Sequence, residues 1–237
     1  NLIRELLERY TPDGIELDWM RFGYHFQPGK EAEGREILNQ FMRDVRRLTQ
    51  DVSARKGHTI HISARVPTHP DAARGLGMDG AQWAQERLVD VLVPTPFWAT
   101  TDFDIPMEDW RRETAAALRD VILAAGAEIL LRAYPGAPAV ENDLASLRGF
   151  ALSALYRGAD RIYLFNYMDP APMQGGAAAY HELLQDGLEM KTLVNKARRY
   201  VVTYRDTVPP GVSADVVLPA EGFAGGRFKI HVGPAPL

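Results

Sequence analysis

The sequence predicts an α/β fold in which helices cover a parallel sheet. Strand and helix patterns alternate along most of the chain, and Gly or Pro marks the turns between them. The segment 13–21 has the clearest strand pattern, because apolar and polar side chains alternate along it with a period of two. Strands that alternate with helices in this way are typical of βα units and a parallel sheet.

The first part of the chain gives two helices and two strands in turn. An amphipathic pattern predicts a helix over 2–9, and the alternating segment predicts a strand over 15–20. A longer helical pattern covers 31–55. The second strand is predicted over 59–66, where polar residues alternate with Ile, Ala and Val.

The rest of the chain continues this alternation. The predicted elements are a helix over 80–87, a strand over 89–93, a helix over 107–125, a strand over 128–134, a helix over 143–157, a strand over 161–167 and a helix over 177–204. The fifth strand follows a Gly-Ala-Asp turn that begins at Gly158. Asp143 precedes a helix and is suited to act as its N-cap.

The alternation of helix and strand patterns stops after Pro210. Two short strand-like runs, 215–219 and 227–233, are separated there by a Gly-rich turn. We therefore predict that residues 1–207 form part of a barrel and that residues 208–237 begin a β-rich accessory domain resembling a sandwich.

The number of strands points to an incomplete (β/α)8 TIM barrel. About five strands are predicted, whereas a closed barrel of this type needs eight. A helix opens the chain directly before a strand, which fits a barrel whose first three βα units are missing, so we interpret the chain as an N-terminally truncated fragment. No Gly-x-Gly-x-x-Gly turn follows a strand and no Walker-type loop occurs, which disfavours an open nucleotide-binding sheet.

Composition narrows the classes of partner. The 237 residues are 46% hydrophobic, which is enough for a large core, and the net charge of −4 comes without a basic block, so no nucleic-acid partner is expected. The absence of Cys excludes disulfides, thiolate zinc sites and a cysteine nucleophile. No apolar run reaches the length of a membrane span. No cofactor is expected, and the compartment stays open, with periplasmic or secreted locations compatible with a signal peptide upstream.

The first predicted strand carries the main catalytic candidates. Its apolar residues should face the surrounding helices, so Glu16 and Asp18 should point into the barrel. Asp18 is then nearer the C-terminal end of the strand, where barrel enzymes hold their active sites. The competing interpretation is that Asp18 caps a helix or pairs with Arg21.

The second predicted strand offers a partner for this carboxylate. His61, Ser63 and Arg65 share its inward face, with Arg65 at the tip. An inward-facing Arg needs an anion, and Asp18 on the neighbouring strand is the natural one. The pair could orient a catalytic carboxylate or be a purely structural ion pair.

Further polar and aromatic residues lie at the strand ends and in the loops after them. Aromatic rings beside charged groups at a barrel mouth suit sugar stacking and hydroxyl recognition. The predicted substrate-binding residues are Arg21, His25, Arg65, Trp98, Asp104, Arg132, Tyr134, Asn166 and Tyr167. Trp19 could frame a subsite as well, although the alternation turns its side chain outward.

Two segments resemble glycoside hydrolase barrels. Asp-Gly-Ile-Glu-Leu-Asp-Trp-Met-Arg, residues 13–21, resembles the fourth-strand segment of α-amylase-like and family-ten-like hypothetical glycosyl hydrolases of bacteria. Residues 158–167 resemble their last barrel strand, and the run after Pro210 resembles their trailing β-sandwich. The resemblance implies a glycosidase that acts on an oligo- or polysaccharide, with Asp18 at the position of the nucleophile and Glu16 in place of an Arg.

The sequence departs from the amylase-like pattern at the general acid. That pattern has its acid at the tip of the next strand, where this chain has Ser-Ala-Arg-Val over 63–66 and no carboxylate. Asp104, Glu141 and Asp169 are the candidates for a second carboxylate. Glu141 is preferred, because its loop is long enough to fold over the mouth.

Two other functions remain open at this point. A barrel that binds carbohydrate without cleaving it would agree with the missing acid. A metal-assisted hydrolase or lyase could use Glu16, Asp18 and His61 as ligands, because carboxylates and a His on neighbouring strands can bind a divalent ion.

Overall fold

The structure is a computed structural model that describes residues 2–115, 120–168, 173–213 and 229–234. Its strands are β1 (Gly14–Asp18), β2 (His61–Pro67), β3 (Val91–Thr95), β4 (Ile122–Ala127), β5 (Leu130–Leu131), β6 (Val140–Glu141) and β7 (Arg161–Leu164). Its helices are α1 (Leu2–Arg9), α2 (Glu31–Lys56), α3 (Pro70–Gly75), α4 (Gly80–Gln85), α5 (Met107–Glu113), α6 (Leu144–Tyr156), α7 (Gly176–Asp186) and α8 (Met190–Leu193). The predicted α/β class is confirmed.

A five-stranded parallel sheet forms the centre of the molecule. Its spatial order is β1-β2-β3-β4-β7, and every neighbouring pair is parallel. The strands therefore follow one another in chain order, without the reversal of order that defines a doubly wound sheet. In the described residues the sheet is open, with β1 and β7 at its edges, and β5 and β6 form a separate antiparallel ladder.

The sheet is strongly curled, as a contact between side chains of its two edge strands shows. The hydroxyl of Tyr163 on β7 donates a hydrogen bond of 2.8 Å to Glu16 Oε1 on β1. In a flat sheet these strands would lie about 19 Å apart, four strand spacings, which is farther than the two side chains span together. The inner face is consequently concave, and inward side chains of β1, β2 and β7 contact one another there.

The outer face of the sheet is covered by helices. Ile62, Ala64 and Val66 of β2 are fully buried and belong to the same core cluster as Leu38 and Met42 of α2. This is the face that the period-two pattern assigns to the apolar set. Ile, Ala and Val side chains exclude water between the layers, and their burial is the main stabilising contribution to the fold.

The prediction for residues 107–134 is wrong in its boundaries. The helix expected over 107–125 ends at Glu113, and residues 122–127 form β4 instead. β4 has the sequence Ile-Leu-Ala-Ala-Gly-Ala, and most of it is buried on both faces, so its apolar run lacks the alternation that identifies a half-buried strand. The strand expected over 128–134 reduces to the two residues of β5, and the C-terminal tip of the fourth sheet strand moves to Ala127.

The prediction of one long helix over 177–204 is also wrong. α7 ends at Asp186, where Gly187 adopts a left-handed conformation with a φ of 62°, and α8 is a separate short helix. Residues 197–209 follow without regular secondary structure. Residues 199–209, here named the crossing segment, contact the loops that follow β1 and β3 and the helix α3, which follows β2.

The predicted accessory domain lies mostly outside the described residues, including its first strand-like run at 215–219. Residues 229–234 are described, and they form no strand. They pack on the α/β unit: the Gly233 amide donates to the Tyr200 hydroxyl at 3.2 Å, and Arg198 donates to the Pro234 carbonyl at 3.3 Å. None of the described helices combines the length and apolar character needed to cross a bilayer.

The hydrogen bond between the edge strands provides a test of the curl. We expect Tyr163→Phe and Glu16→Ala to show a coupling of about 1 kcal/mol in the free energy of unfolding, since each removes one partner of the same bond. Urea denaturation of the two single variants and the double variant measures this coupling. Tyr156→Phe, at a Tyr that is 62% exposed, is the control and should behave like the unaltered protein. Strictly additive effects would contradict contact between β1 and β7.

Candidate active site

An ion pair fixes the carboxylate at the end of β1. Asp18 and Arg65 lie opposite each other in the β1–β2 register, and Arg65 Nη1 donates to Asp18 Oδ2 at 2.7 Å. Asp18 Oδ1 accepts the backbone N–H of Met20 at 2.9 Å. The Arg65 side chain is 1% exposed and the Asp18 side chain is 35% exposed. The predicted pairing is confirmed, and it leaves Asp18 oriented but open to solvent on the concave face.

Arg65 has hydrogen-bond donors that Asp18 does not use. Its guanidinium carbon lies 3.6 Å from the centroid of the Phe165 ring and 5.8 Å from that of Tyr163, so the rings stack on it. Within the described residues, Nε and Nη2 of Arg65 are buried and have no hydrogen-bond partner. The charge of Arg65 also acts on Tyr163 and on Glu128, the residue that directly follows β4.

A second carboxyl group, Glu128, directly follows β4. Glu128 is 1% exposed, and Asn166 Nδ2 donates to its two carboxylate oxygens at 3.0 and 3.3 Å. Burial raises the pKa of Glu128 from 4.5 to about 7, and the charge of Asp206 adds to this, while Asn166 and Arg65 act in the opposite direction. Glu128 thus holds a proton up to about neutral pH, as a general acid requires.

Side chains from three elements hold the backbone at Glu128. Its carbonyl oxygen accepts from Thr101 Oγ1 at 2.6 Å, from Asn142 Nδ2 at 3.2 Å and from the hydroxyl of Tyr167 at 3.2 Å. Asn166, which binds the carboxylate, has a φ of 64°, a left-handed conformation that is uncommon outside Gly. Asn tolerates this conformation better than most residues, and here it directs the side-chain amide toward the carboxyl group.

A third carboxylate approaches from the crossing segment. Asp206 accepts the backbone N–H groups of Phe97, Trp98 and Ala99 at 3.0 to 3.1 Å, in the loop that follows β3. Burial raises the pKa of Asp206, and these N–H donors oppose the rise. Asp206 joins a distant part of the chain to the C-terminal edge of the sheet.

Aromatic side chains form a rim beside these carboxyl groups. Phe22, in the loop after β1, packs on Phe97 with ring centroids 5.8 Å apart, and Phe97 packs on Trp98 at 6.1 Å. Phe22 is 67% exposed and Trp98 is 59% exposed. Arg21 lies over the Phe22 ring at 5.5 Å. Exposed rings in contact with one another offer a stacking surface for a flat apolar face of a ligand.

Glu16 lies one layer deeper on β1 and is engaged by protein partners. Besides Tyr163, it accepts the hydroxyl of Ser63 at 3.0 Å. Burial and the neighbouring Glu16 raise the pKa of Tyr163, so its hydroxyl stays a donor. In the described structure this layer supports the Asp18–Arg65 pair above it.

Two predicted aromatic residues do not belong to the rim. Trp19 faces the helices, as the alternation predicts, and packs against Phe41 and Trp83. Tyr167 is buried, and its hydroxyl serves Glu128. His25 is exposed, and its Nε2 lies 2.8 Å from the Trp19 carbonyl oxygen.

The prediction that Arg132 and Tyr134 end the fourth strand is wrong, because the strand already ends at Ala127. Arg132 follows β5 and donates to the carbonyl oxygens of Ala99 and Ala137 at 3.1 and 3.0 Å, so it connects two loops. Tyr134 lies in the turn beyond it.

The candidates for a second carboxylate are dispersed. Glu141 is exposed on β6, where it pairs with Leu130 in the antiparallel ladder. Asp104 borders a separate cavity of about 180 Å³, where His231 and Lys229 contact its carboxylate. Asp169 lies outside the described residues.

The metal-ligand hypothesis gains no support from the geometry. Both Glu16 and Asp18 already bind protein donors, and the imidazole of His61 is directed to Asp90, with Nδ1 3.7 Å from Oδ2. Over the described ranges, no three or more His, Asp or Glu side chains converge in a way that could hold a metal ion.

No protein-family model matches the sequence, and no curated protein matches it either. The geometry of the site includes two residues that are not among those predicted from the sequence, Glu128 and Asp206. The sequence does contain a pattern that indicates Glu128. An apolar run over 121–127 is followed directly by this Glu, as expected when a buried strand ends at a site.

The raised pKa of Glu128 predicts a pH dependence of stability. The folded protein binds this proton more tightly than the unfolded chain does, so the contribution is fully present below pH 4.5 and is lost as the pH rises to about 7. We expect the free energy of unfolding to fall by on the order of 3 kcal/mol more in the unaltered protein than in Glu128→Gln across this window.

Urea denaturation at several pH values between 4 and 8 measures this difference. Glu141→Gln removes an exposed carboxylate and is the matched control, which should follow the unaltered protein. Parallel curves for the unaltered protein and Glu128→Gln would refute the raised pKa.

Proposed function

We propose that this chain is part of a glycoside hydrolase of (β/α)8 type that cleaves an oligo- or polysaccharide, with Asp18 and Glu128 as its two catalytic carboxyl groups. One observation carries the proposal. The same concave face holds a buried carboxyl group that keeps its proton to about pH 7 and an accessible carboxylate fixed by an arginine. Glycosidases of most families divide their chemistry between two such groups.

The roles follow from the two environments. Glu128 donates its proton to the glycosidic oxygen as the bond from that oxygen to the anomeric carbon breaks. Asp18 supports the positive charge that develops at the anomeric carbon. It does so either by attacking this carbon itself or by taking a proton from the attacking water, and the separation of the two carboxyl groups in the substrate complex decides between these routes.

The aromatic rim supplies the substrate contacts. Phe22, Phe97 and Trp98 present ring faces at the edge of the concave surface, where sugar rings can stack. Arg21, beside Phe22, can donate to sugar hydroxyls. Asn166, predicted from the sequence as a substrate contact, donates its amide to Glu128, and we propose that it positions the acid.

The barrel interpretation rests on strand order and curvature. The five parallel strands follow chain order, and their sheet is curled enough for side chains of the first and fifth strands to form a hydrogen bond. This arrangement is expected for five of the eight strands of a barrel.

A carbohydrate-binding barrel without catalytic activity is the second candidate. It is favoured by the exposed rim, since stacking on Phe22 and Trp98 needs no acid. Under this alternative, Glu128 would be a buried structural carboxyl group, and its removal would leave binding intact with no turnover to lose.

Activity on substrates with different leaving groups tests the roles. On unactivated oligosaccharides, Asp18→Asn and Glu128→Gln should each lower kcat by about 10²- to 10⁴-fold. On dinitrophenyl glycosides, whose leaving group needs no proton, Glu128→Gln should retain substantial activity in bond cleavage while Asp18→Asn should not. Stopped assays of sugar release and dinitrophenolate absorbance measure both.

Glu141→Gln completes this series, because Glu141 is the acid that the sequence alone favours. If Glu141→Gln lost activity on poor leaving groups and Glu128→Gln did not, the assignment of the acid would be wrong. Binding of oligosaccharides without cleavage by the unaltered protein would select the carbohydrate-binding alternative.

A further inference from the structure

We infer that Asp206 is a positioning residue of the active site, which holds the aromatic rim in place and adds negative charge to the surroundings of Glu128. This inference rests on the proposed function for its meaning in catalysis. Its physical content, contact with the rim loop and charge coupling to Glu128, is independent of any activity.

The crossing segment is firmly attached to the loops at the C-terminal edge of the sheet. Thr203 Oγ1 accepts the backbone N–H of Phe103 at 3.1 Å, and the Tyr24 hydroxyl donates to the Val208 carbonyl at 3.0 Å. Its first residue lies directly on α6, where a Cβ added at Gly149 would come within 2.0 Å of the Arg199 carbonyl oxygen. The position of Asp206 is therefore set by contacts on both sides of it.

One carboxylate orders three consecutive residues of the rim loop. The backbone N–H groups of Phe97, Trp98 and Ala99 converge on Asp206, which also accepts the hydroxyl of Thr207 at 2.9 Å. Converging N–H groups form a small anion-binding nest, and a charged acceptor makes such bonds stronger than neutral ones. Because two of these residues carry the rim rings, the carboxylate determines where the stacking surface lies.

The same carboxylate belongs to the charged surroundings of the acid. Asp206 and Arg65 are the charged groups that act on Glu128, in opposite directions, and Asn166 is its neutral donor. Tyr204 interacts with the charges of both Asp206 and Arg132. A negative charge near a protonated carboxyl group favours retention of the proton. Asp206 thus helps to keep Glu128 in the form that a general acid needs.

The variant Asp206→Asn separates these effects from mere loss of structure. We expect the carboxyl carbon of Glu128, followed by ¹³C NMR, to titrate at lower pH than in the unaltered protein, by about a few tenths of a unit, because burial is the main cause of the raised pKa and Asp206 only adds to it. We expect the amides of residues 97–99 to exchange with solvent about tenfold faster, because each loses a charged acceptor. Asp206→Glu keeps the charge, so it should restore most of the titration while leaving the amides faster.

Asp71→Asn is the matched control. Asp71 contacts the same crossing segment through Arg205 at 3.4 Å, and its side chain is 76% exposed. It should loosen that contact without moving the titration of Glu128. Where a substrate is cleaved, Asp206→Asn should raise KM by about tenfold and move the alkaline limb of the kcat profile to lower pH.

The outcomes separate this inference from the proposed function. If no glycoside is cleaved, the NMR titration and amide exchange still test Asp206. An unchanged titration of Glu128 in Asp206→Asn, or unchanged exchange at residues 97–99, would overturn the inference. If Asp206→Asn does not fold, Asp206→Glu decides: slow exchange at residues 97–99 in that variant would overturn the claim that the position of this carboxylate holds the rim loop.

Discussion

Curvature of the parallel sheet is the constraint on which the site depends. Inward side chains of β1, β2, β4 and β7 belong to strands that a flat sheet would hold far apart, and only the curl turns them toward one space. The Tyr163–Glu16 hydrogen bond shows this curvature at the deeper layer, and the stacking of Arg65 on Phe165 shows it nearer the strand ends. The open edges of β1 and β7 leave the concave face partly exposed to solvent.

Two carboxyl groups on this face differ because their surroundings differ. Asp18 is partly exposed and receives one guanidinium and one backbone donor, which orient it. Glu128 is buried and receives mainly a neutral amide, so loss of hydration dominates its titration. Opposite environments for neighbouring acids are how one site can hold a proton donor and an ionised group at the same pH. Arg65 acts on both groups: it donates a hydrogen bond to Asp18, and its positive charge lowers the pKa of Glu128.

The half of the site on β1 and β2 could be predicted from the sequence, and the half on β4 could not. Glu16, Asp18 and Arg65 lie on strands with one polar face, so a period of two reveals which side chains point inward. β4 is buried on both faces and rich in Ala, so its pattern does not distinguish strand from helix. The strand end is therefore predicted too late in the chain, at Tyr134 and not next to Glu128. Asp206 lies on an irregular segment, where no periodicity reports its long-range contact with residues 97–99.

The most direct test of the account is a crystal structure of Glu128→Gln with an uncleaved oligosaccharide. The account predicts a glycosidic oxygen within hydrogen-bond distance of the residue 128 side chain. It also predicts Asp18 near the anomeric carbon, on the opposite side of the bond to be cleaved, and sugar rings against Trp98. A ligand bound elsewhere, or one that leaves Asp18 and residue 128 without contact to the same glycosidic bond, would contradict it.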